Sequence, residues 1–144
     1  MNISRIAKWA AYSMAVILLA FILACGGIGF AYEQKLSGKY CLVACDTLEQ
    51  MGIDEMPTDG GNSYHGVIGE TIFAAGWDDR FIIAKQHPKG NEKITDFYIL
   101  RVSDGLVSGP WAEAGFVAER KKLDVPKELT FTWTLDSVKS GSEK

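Results

Sequence analysis

The chain has 144 residues, with 15 basic and 18 acidic side chains giving a formal net charge of −3, and 47% of its residues are hydrophobic. Its charge divides unevenly: residues 33 to 144 carry 13 basic and 18 acidic groups, so the balance beyond the leader is −5. That excludes a nucleic-acid surface, which needs concentrated positive charge to displace phosphate counterions.

No charge falls between Lys8 and Glu33. The 24 intervening residues include "WAAYSMAVILLAFILACGGIGFAY", long enough as a helix to cross about 30 Å of hydrocarbon. Arg5 and Lys8 precede the run and favour a cytoplasmic start with an exported remainder. Beside an ordinary cleaved signal, two membrane readings stay open for residues 1–32: a permanent membrane helix, or a lipoprotein signal in which "ILAC" presents Cys25 for lipidation by acyl chains such as palmitate. Both predict a cell-membrane location, with the domain outside the cytoplasm and the lipid bilayer as a partner.

Residues 33–39, "EQKLSGK", read as a polar spacer, and residues 40–136 as a small extracytoplasmic domain. "YCLVAC" fits a first strand. The acidic stretch from Asp46 to Ser63 is expected to be irregular, because Pro57 and the Asp59-Gly60-Gly61-Asn62 cluster favour turns. Then "GVIGETIFAAGW", "RFIIAK" and "DFYILRV" are strand candidates joined by short links, which favours an antiparallel meander, with a fourth short strand near Leu106 and Val107. Residues 112 to 123 change to a helical period, with Ala112, Phe116 and Leu123 sharing a face and Val117 alongside. "ELTFTWTL" alternates as a terminal strand, pointing Leu129, Phe131, Trp133 and Leu135 one way, and residues 137–144 read as a flexible tail. The predicted class is α+β: a membrane helix or lipoprotein signal, then a small antiparallel β-meander with one packed helix.

Asp78-Asp79 in "GWDDRF" tempts as a cation or acid–base pair, but neighbouring residues on a strand point oppositely, so a hairpin corner is the simpler reading. Trp77 and Trp111 offer broad rings for a sealed sheet end or for a peptide or glycan platform. His65 and His87 form no short metal motif, and no metal or cofactor signature occurs elsewhere. Cys41 and Cys45 would stand about 13 Å apart on a straight strand, beyond disulfide reach, although a bulge in an oxidising compartment would let them pair; a disulfide and two separate thiols stay open.

The stretches "IGETIFAAGWDDRFIIAKQHP" and "DFYILRVSDGLVSGPWAEAGFVAERKKLDVP", with the terminal "ELTF", resemble the DUF3997 family of small bacterial membrane-associated proteins, commonly lipoproteins. Trp77, Asp78, Asp79, Lys85, Gln86, Tyr98, Gly109 and Pro110 occupy its motif positions, over about residues 66 to 130. "GPWAEAG" is less acidic than the family's helix start, and Cys41 and Cys45 are additions. The resemblance implies an envelope location and a common small fold, and no catalytic mechanism.

The resulting expectation is a membrane-tethered accessory domain with an envelope protein as partner. One alternative is a small-ligand binder of peptides or glycans using Trp77, Asp78, Asp79, Gln86, Tyr98 or Trp111. Another is a small hydrolase in which His87 works with an acid.

Overall fold

Alternating apolar residues and closely spaced turns build two antiparallel sheets, seen in a computed structural model that describes residues 30–58, 61 and 63–141. The first sheet runs in sequence order through β1 (Tyr32–Lys35), β2 (Tyr40–Ala44), β3 (Gly52–Glu55) and β4 (His65–Ile68). Five further strands form the second: β5 (Ile72–Trp77), β6 (Phe81–Gln86), β7 (Asp96–Arg101), β8 (Val107–Trp111) and the two-residue β9 (Trp133–Thr134), in the order β8-β7-β6-β5-β9. Helix α1 spans Glu113–Lys122, and α2 spans Leu135–Gly141.

Because side chains alternate across a strand, β6 and β7 of the second sheet feed two cores. Ile82, Ala84 and Leu100 point one way and pack with Ile72 and Ala75 against Tyr40, Leu42, Ala44, Ile53 and Ile68 of the first sheet. Phe81, Ile83, Phe97 and Ile99 point the other way and are covered by Phe116 of α1 and by Val125 and Leu129 beyond it. Full burial of such a side chain stabilises the fold by about 1.5–3 kcal/mol, so the helix is held chiefly through Phe116, its one buried residue. Leu123 and Phe131 join this outer core, whereas Val117 stays 47% exposed and Ala112 only precedes the helix.

The α+β class holds, with two sheets and two helices among the described residues in place of one meander and one packed helix. The expected spacer instead forms β1 and a tight turn, in which Tyr40 N–H donates to Ser37 O at 3.1 Å and Gly38 takes φ +58. Part of the supposedly irregular 46–63 stretch is β3, which pairs Ile53 with Leu42. Residues 59, 60 and 62 of its turn cluster lie outside the described residues. The terminal strand is cut to two residues because the chain changes sides: Leu129 and Phe131 pack in the outer core, Trp133 and Leu135 in the inner one. The predicted tail then begins inside a helix.

The expected transmembrane helix and cell-membrane location are likewise corrected. Among the described residues no helix is long and apolar enough to cross a membrane. Residues 1–29, including most of the apolar run and the lipidation candidate Cys25, lie outside the described residues. The end of that run is part of the first sheet: Ala31 N–H donates to Cys45 O at 3.2 Å, Tyr32 begins β1, and Phe30 meets Tyr64 edge-on with ring centroids 4.7 Å apart.

Candidate functional site

A cleft of about 710 Å³ opens where β5 and β6 meet α2 and the loop after β6. Its floor follows from register. Thr134 pairs with Ala74, Ala74 with Lys85, Lys85 with Phe97 and Phe97 with Trp111, so one cross-strand row runs over all five strands on the outer face. Period-two alternation puts Lys85 on the same face as Phe81 and Ile83, where the pattern calls for an apolar residue. Its ammonium is accommodated by aromatic faces, lying 4.5 Å from the ring centroid of Phe131 and 5.4 Å from that of Phe97.

The walls come from two local irregularities. A register shift between Ile72 and Ala74 makes Phe73 the extra residue of a bulge, and a bulge re-aims its side chain. The Phe73 ring stacks on His87, with centroids 3.9 Å apart and planes within 9°. His87 is fixed from both sides: its backbone N–H donates to Thr71 O at 3.1 Å, and its carbonyl accepts from the Thr71 hydroxyl. Thr71 holds φ +75, a costly conformation for a β-branched residue, and its two bonds to His87 help to maintain it. His87 Nδ1 is 2.9 Å from the Ile94 carbonyl. A carbonyl only accepts, so Nδ1 carries a proton and donates to it.

At the other side of the cleft, Glu49 and Lys139 form an ion pair at 2.7 Å that ties α2 to the 3-10 turn at Leu48–Gln50. The hydrogen bond that Lys139 donates to Glu49, with the further charges of Asp136 and Glu92, raises the Lys139 pKa, and the same bond lowers that of Glu49.

The residues singled out from sequence do not converge. Asp78 is a hairpin corner: its Oδ1 accepts from the backbone N–H of Arg80 at 2.8 Å and of Phe81 at 2.7 Å. Asp79 is exposed beside it, and Trp77 packs against the inner core. Gln86 is buried and satisfied internally, donating to Gly69 O at 3.0 Å and Glu70 O at 2.8 Å while accepting from the Tyr98 hydroxyl at 3.0 Å. Burial, then the charge of Asp96, raises the Tyr98 pKa. Trp111 shares the cross-strand row with Lys85 but lies at its far end, where its indole N–H donates to Ser108 Oγ at 3.1 Å and Ser108 bonds Glu119 of α1 at 3.1 Å.

The cysteines do not pair. Cys41 lies buried within β2, Cys45 is exposed just past its end, and both are free. Among the described residues no group of three or more His, Cys, Asp or Glu is placed to hold a metal ion. Neither histidine makes an ion pair with a carboxylate there, and His87 Nδ1 is spent on a backbone carbonyl, which orients the ring without building a nucleophile–base–acid chain.

In the sequence Lys85 stands out only as a motif position and Phe131 only as one of a strand's apolar residues, while Thr71 and Phe73 carry no mark of their own. A lysine in phase with Phe81 and Ile83 was the available signal. The bulge that exposes Phe73 has no comparable mark.

Residues 37–139 match the family described as "Protein of unknown function (DUF3997)", a longer span than the motifs alone suggested. No curated protein and no solved structure matches the chain.

Proposed function

The chain belongs to the DUF3997 family, and from that premise we propose that its domain binds a small organic ligand in the cleft between the β5–β6 hairpin and α2. The observation that carries this reading is the wall of Phe73 stacked on His87, together with Phe131, beside Lys85. Ligand sites are concave, and their usual volumes of about 300–1,000 Å³ include this one, whose apolar surface comes from Phe73, Ala74, Phe131 and Leu135 among polar and charged neighbours. The bond that the Thr71 hydroxyl donates to the His87 carbonyl and the bond that His87 Nδ1 donates to the Ile94 carbonyl hold the His87 wall in place before any ligand arrives, which reduces the ordering cost of binding. Amide NMR spectra of the full chain, recorded while a library of small aromatic and aliphatic compounds is added, test it. Shifts confined to residues 71–74, 85–90 and 131–139 are expected; compounds that move only resonances elsewhere, or none at millimolar concentration, refute it.

An accessory role with a protein partner is a second reading, favoured by Trp111 and Val117, which remain 36% and 47% exposed on and beside α1. Cross-linking from position 117 should capture one partner in preference to others, and Val117→Asp should abolish the capture. Equal capture by both chains removes this reading.

A further inference from the structure

Lys85 is unlike the other polar groups of the cleft. Lys139 is paired with Glu49, the Thr71 hydroxyl is committed to the His87 carbonyl, and His87 Nδ1 to that of Ile94. Lys85 is half-buried on the sheet, and among the described residues it makes no ion pair and no hydrogen bond. The Phe131 and Phe97 rings lower the cost of holding its charge, but their faces are weak substitutes for oxygen acceptors at its three N–H donors. Glu49 is bound to Lys139, and the charges of Asp136 and Glu92, both exposed on the rim, act on the same ammonium. What the sheet side of the cleft presents is a cation on an aromatic wall, with a flat stacked pair, Phe73 and His87, alongside.

We infer that the cleft selects a small carboxylate with a planar apolar body, the carboxylate bonded to Lys85 Nζ and the body lying against the Phe73–His87 pair and Phe131. The inference rests on the reading of the cleft as a ligand site and adds the chemical class. An anion supplies the acceptors that Lys85 lacks, and charge-assisted bonds of this kind are about twice as strong as neutral ones. A planar body matches the ring faces that line the cleft, where offset stacking is favourable.

The test titrates the full chain with phenylacetate and with phenylacetamide, its uncharged counterpart of nearly equal shape, following backbone amides by NMR. Phenylacetate should move the resonances of residues 73, 85, 87 and 131 and bind roughly tenfold or more tightly than the amide, the worth of one charge-assisted hydrogen bond. Lys85→Gln should bring the two affinities together, and Lys85→Arg should restore most of the difference, which a merely structural role for the lysine stem would not do. If Lys85→Gln fails to fold, the affinity ratio in the unaltered chain and its decline with added salt decide the matter. Equal binding of acid and amide in the cleft overturns the carboxylate inference and leaves the ligand site standing. Binding of other compounds in the cleft, with no response to phenylacetate, overturns the class. No cleft response to any compound overturns both readings.

Discussion

Trp133 donates its indole N–H to the hydroxyl of Tyr32 at 3.0 Å across 101 residues of chain. Tyr32 opens β1 in one sheet and Trp133 opens β9 in the other, and their rings are tilted with centroids 6.1 Å apart, so the bond and the contact join the two sheets at their edges. Trp133→Phe keeps most of the apolar area and should cost about 1 kcal/mol, whereas Trp133→Ala, which opens a cavity, should cost about 3–5 kcal/mol. A double-mutant cycle with Tyr32→Phe, measured by urea denaturation, should return a coupling of about 0.5–1.5 kcal/mol. Strictly additive losses would show that the sheets are joined by burial alone.

The same terminal segment must pass over β5 before it reaches the inner core, and Gly76 makes room for it. A Cβ at position 76 would stand 1.9 Å from the carbonyl oxygen of Thr130 and 2.8 Å from its carbon. Both are backbone atoms, so the strain cannot be relieved by turning a side chain. Gly76→Ala should therefore destabilise by about 2 kcal/mol or more. Gly90, at φ +72 with nothing within 4 Å of its added Cβ, provides the comparison: its alanine variant meets only the cost of a left-handed backbone, about 1–2 kcal/mol. Thermal denaturation that ranks the two variants in the opposite order would remove this account of the crossing.

How far the sequence revealed these arrangements depends on where the determining contacts lie. β6 and β7 were legible because Phe81–Gln86 and Asp96–Arg101 are apolar and β-branched stretches bounded by local turn residues. The corner at Asp78 was legible for the same reason, since its side chain bonds the amides two and three residues on. β1 and β3 were not, because "YEQK" and "GIDE" carry half-polar patterns that become strands only beside β2. "ELTFTWTL" looked like one face of a strand, yet Leu129 and Trp133 serve different cores, a division imposed by the crossing at Gly76. The cleft was the least legible feature. Phe73 faces it through a bulge, and Phe131 reaches Lys85 from a distant segment, so neither relationship has a local sequence period.

The two described cysteines are predicted to differ in reactivity. Burial, followed by the charges of Glu33 and Asp54, pushes the Cys41 thiol up to about 12, while Cys45 lies exposed. Because the thiolate is the nucleophile, iodoacetamide at pH 8 should label Cys45 and spare Cys41 until the chain is unfolded, as read by peptide mass. The linkage has a definite sign. With a folded pKa above the unfolded value of 9.0, the native state keeps its proton where the unfolded state has lost it, so this contribution to stability is full below about pH 9 and declines towards about pH 12. The slope is at most about 1.4 kcal/mol per pH unit. Cys41→Ala should flatten the alkaline loss; an unchanged pH profile would contradict the assignment.

Asp54 supplies a related test at neutral pH. It lies beside Cys41 in the register of β2 and β3, and burial raises its pKa without a compensating ion pair among the described residues. A raised carboxyl pKa means that its contribution to stability is complete below the ordinary carboxylate range and is lost as pH climbs through the folded value, so at pH 7 the native chain bears the cost of desolvating the charge. Asp54→Asn removes that charge with little change of shape. It should make the chain more stable than the unaltered protein at pH 7, with the advantage shrinking as pH falls through the raised folded value and gone below the ordinary carboxylate range, where the wild-type carboxyl is neutral in both states. The substitution also removes one of the two charges that hold the Cys41 thiol up, and alkaline labelling of Cys41 should quicken in the folded variant. Urea denaturation at pH 3.5 and pH 7 measures the first effect, and labelling at pH 10 the second. A variant that loses stability at pH 7 would mean that the ionised carboxylate is a favourable partner within the sheet, and would reverse the sign argued from its burial.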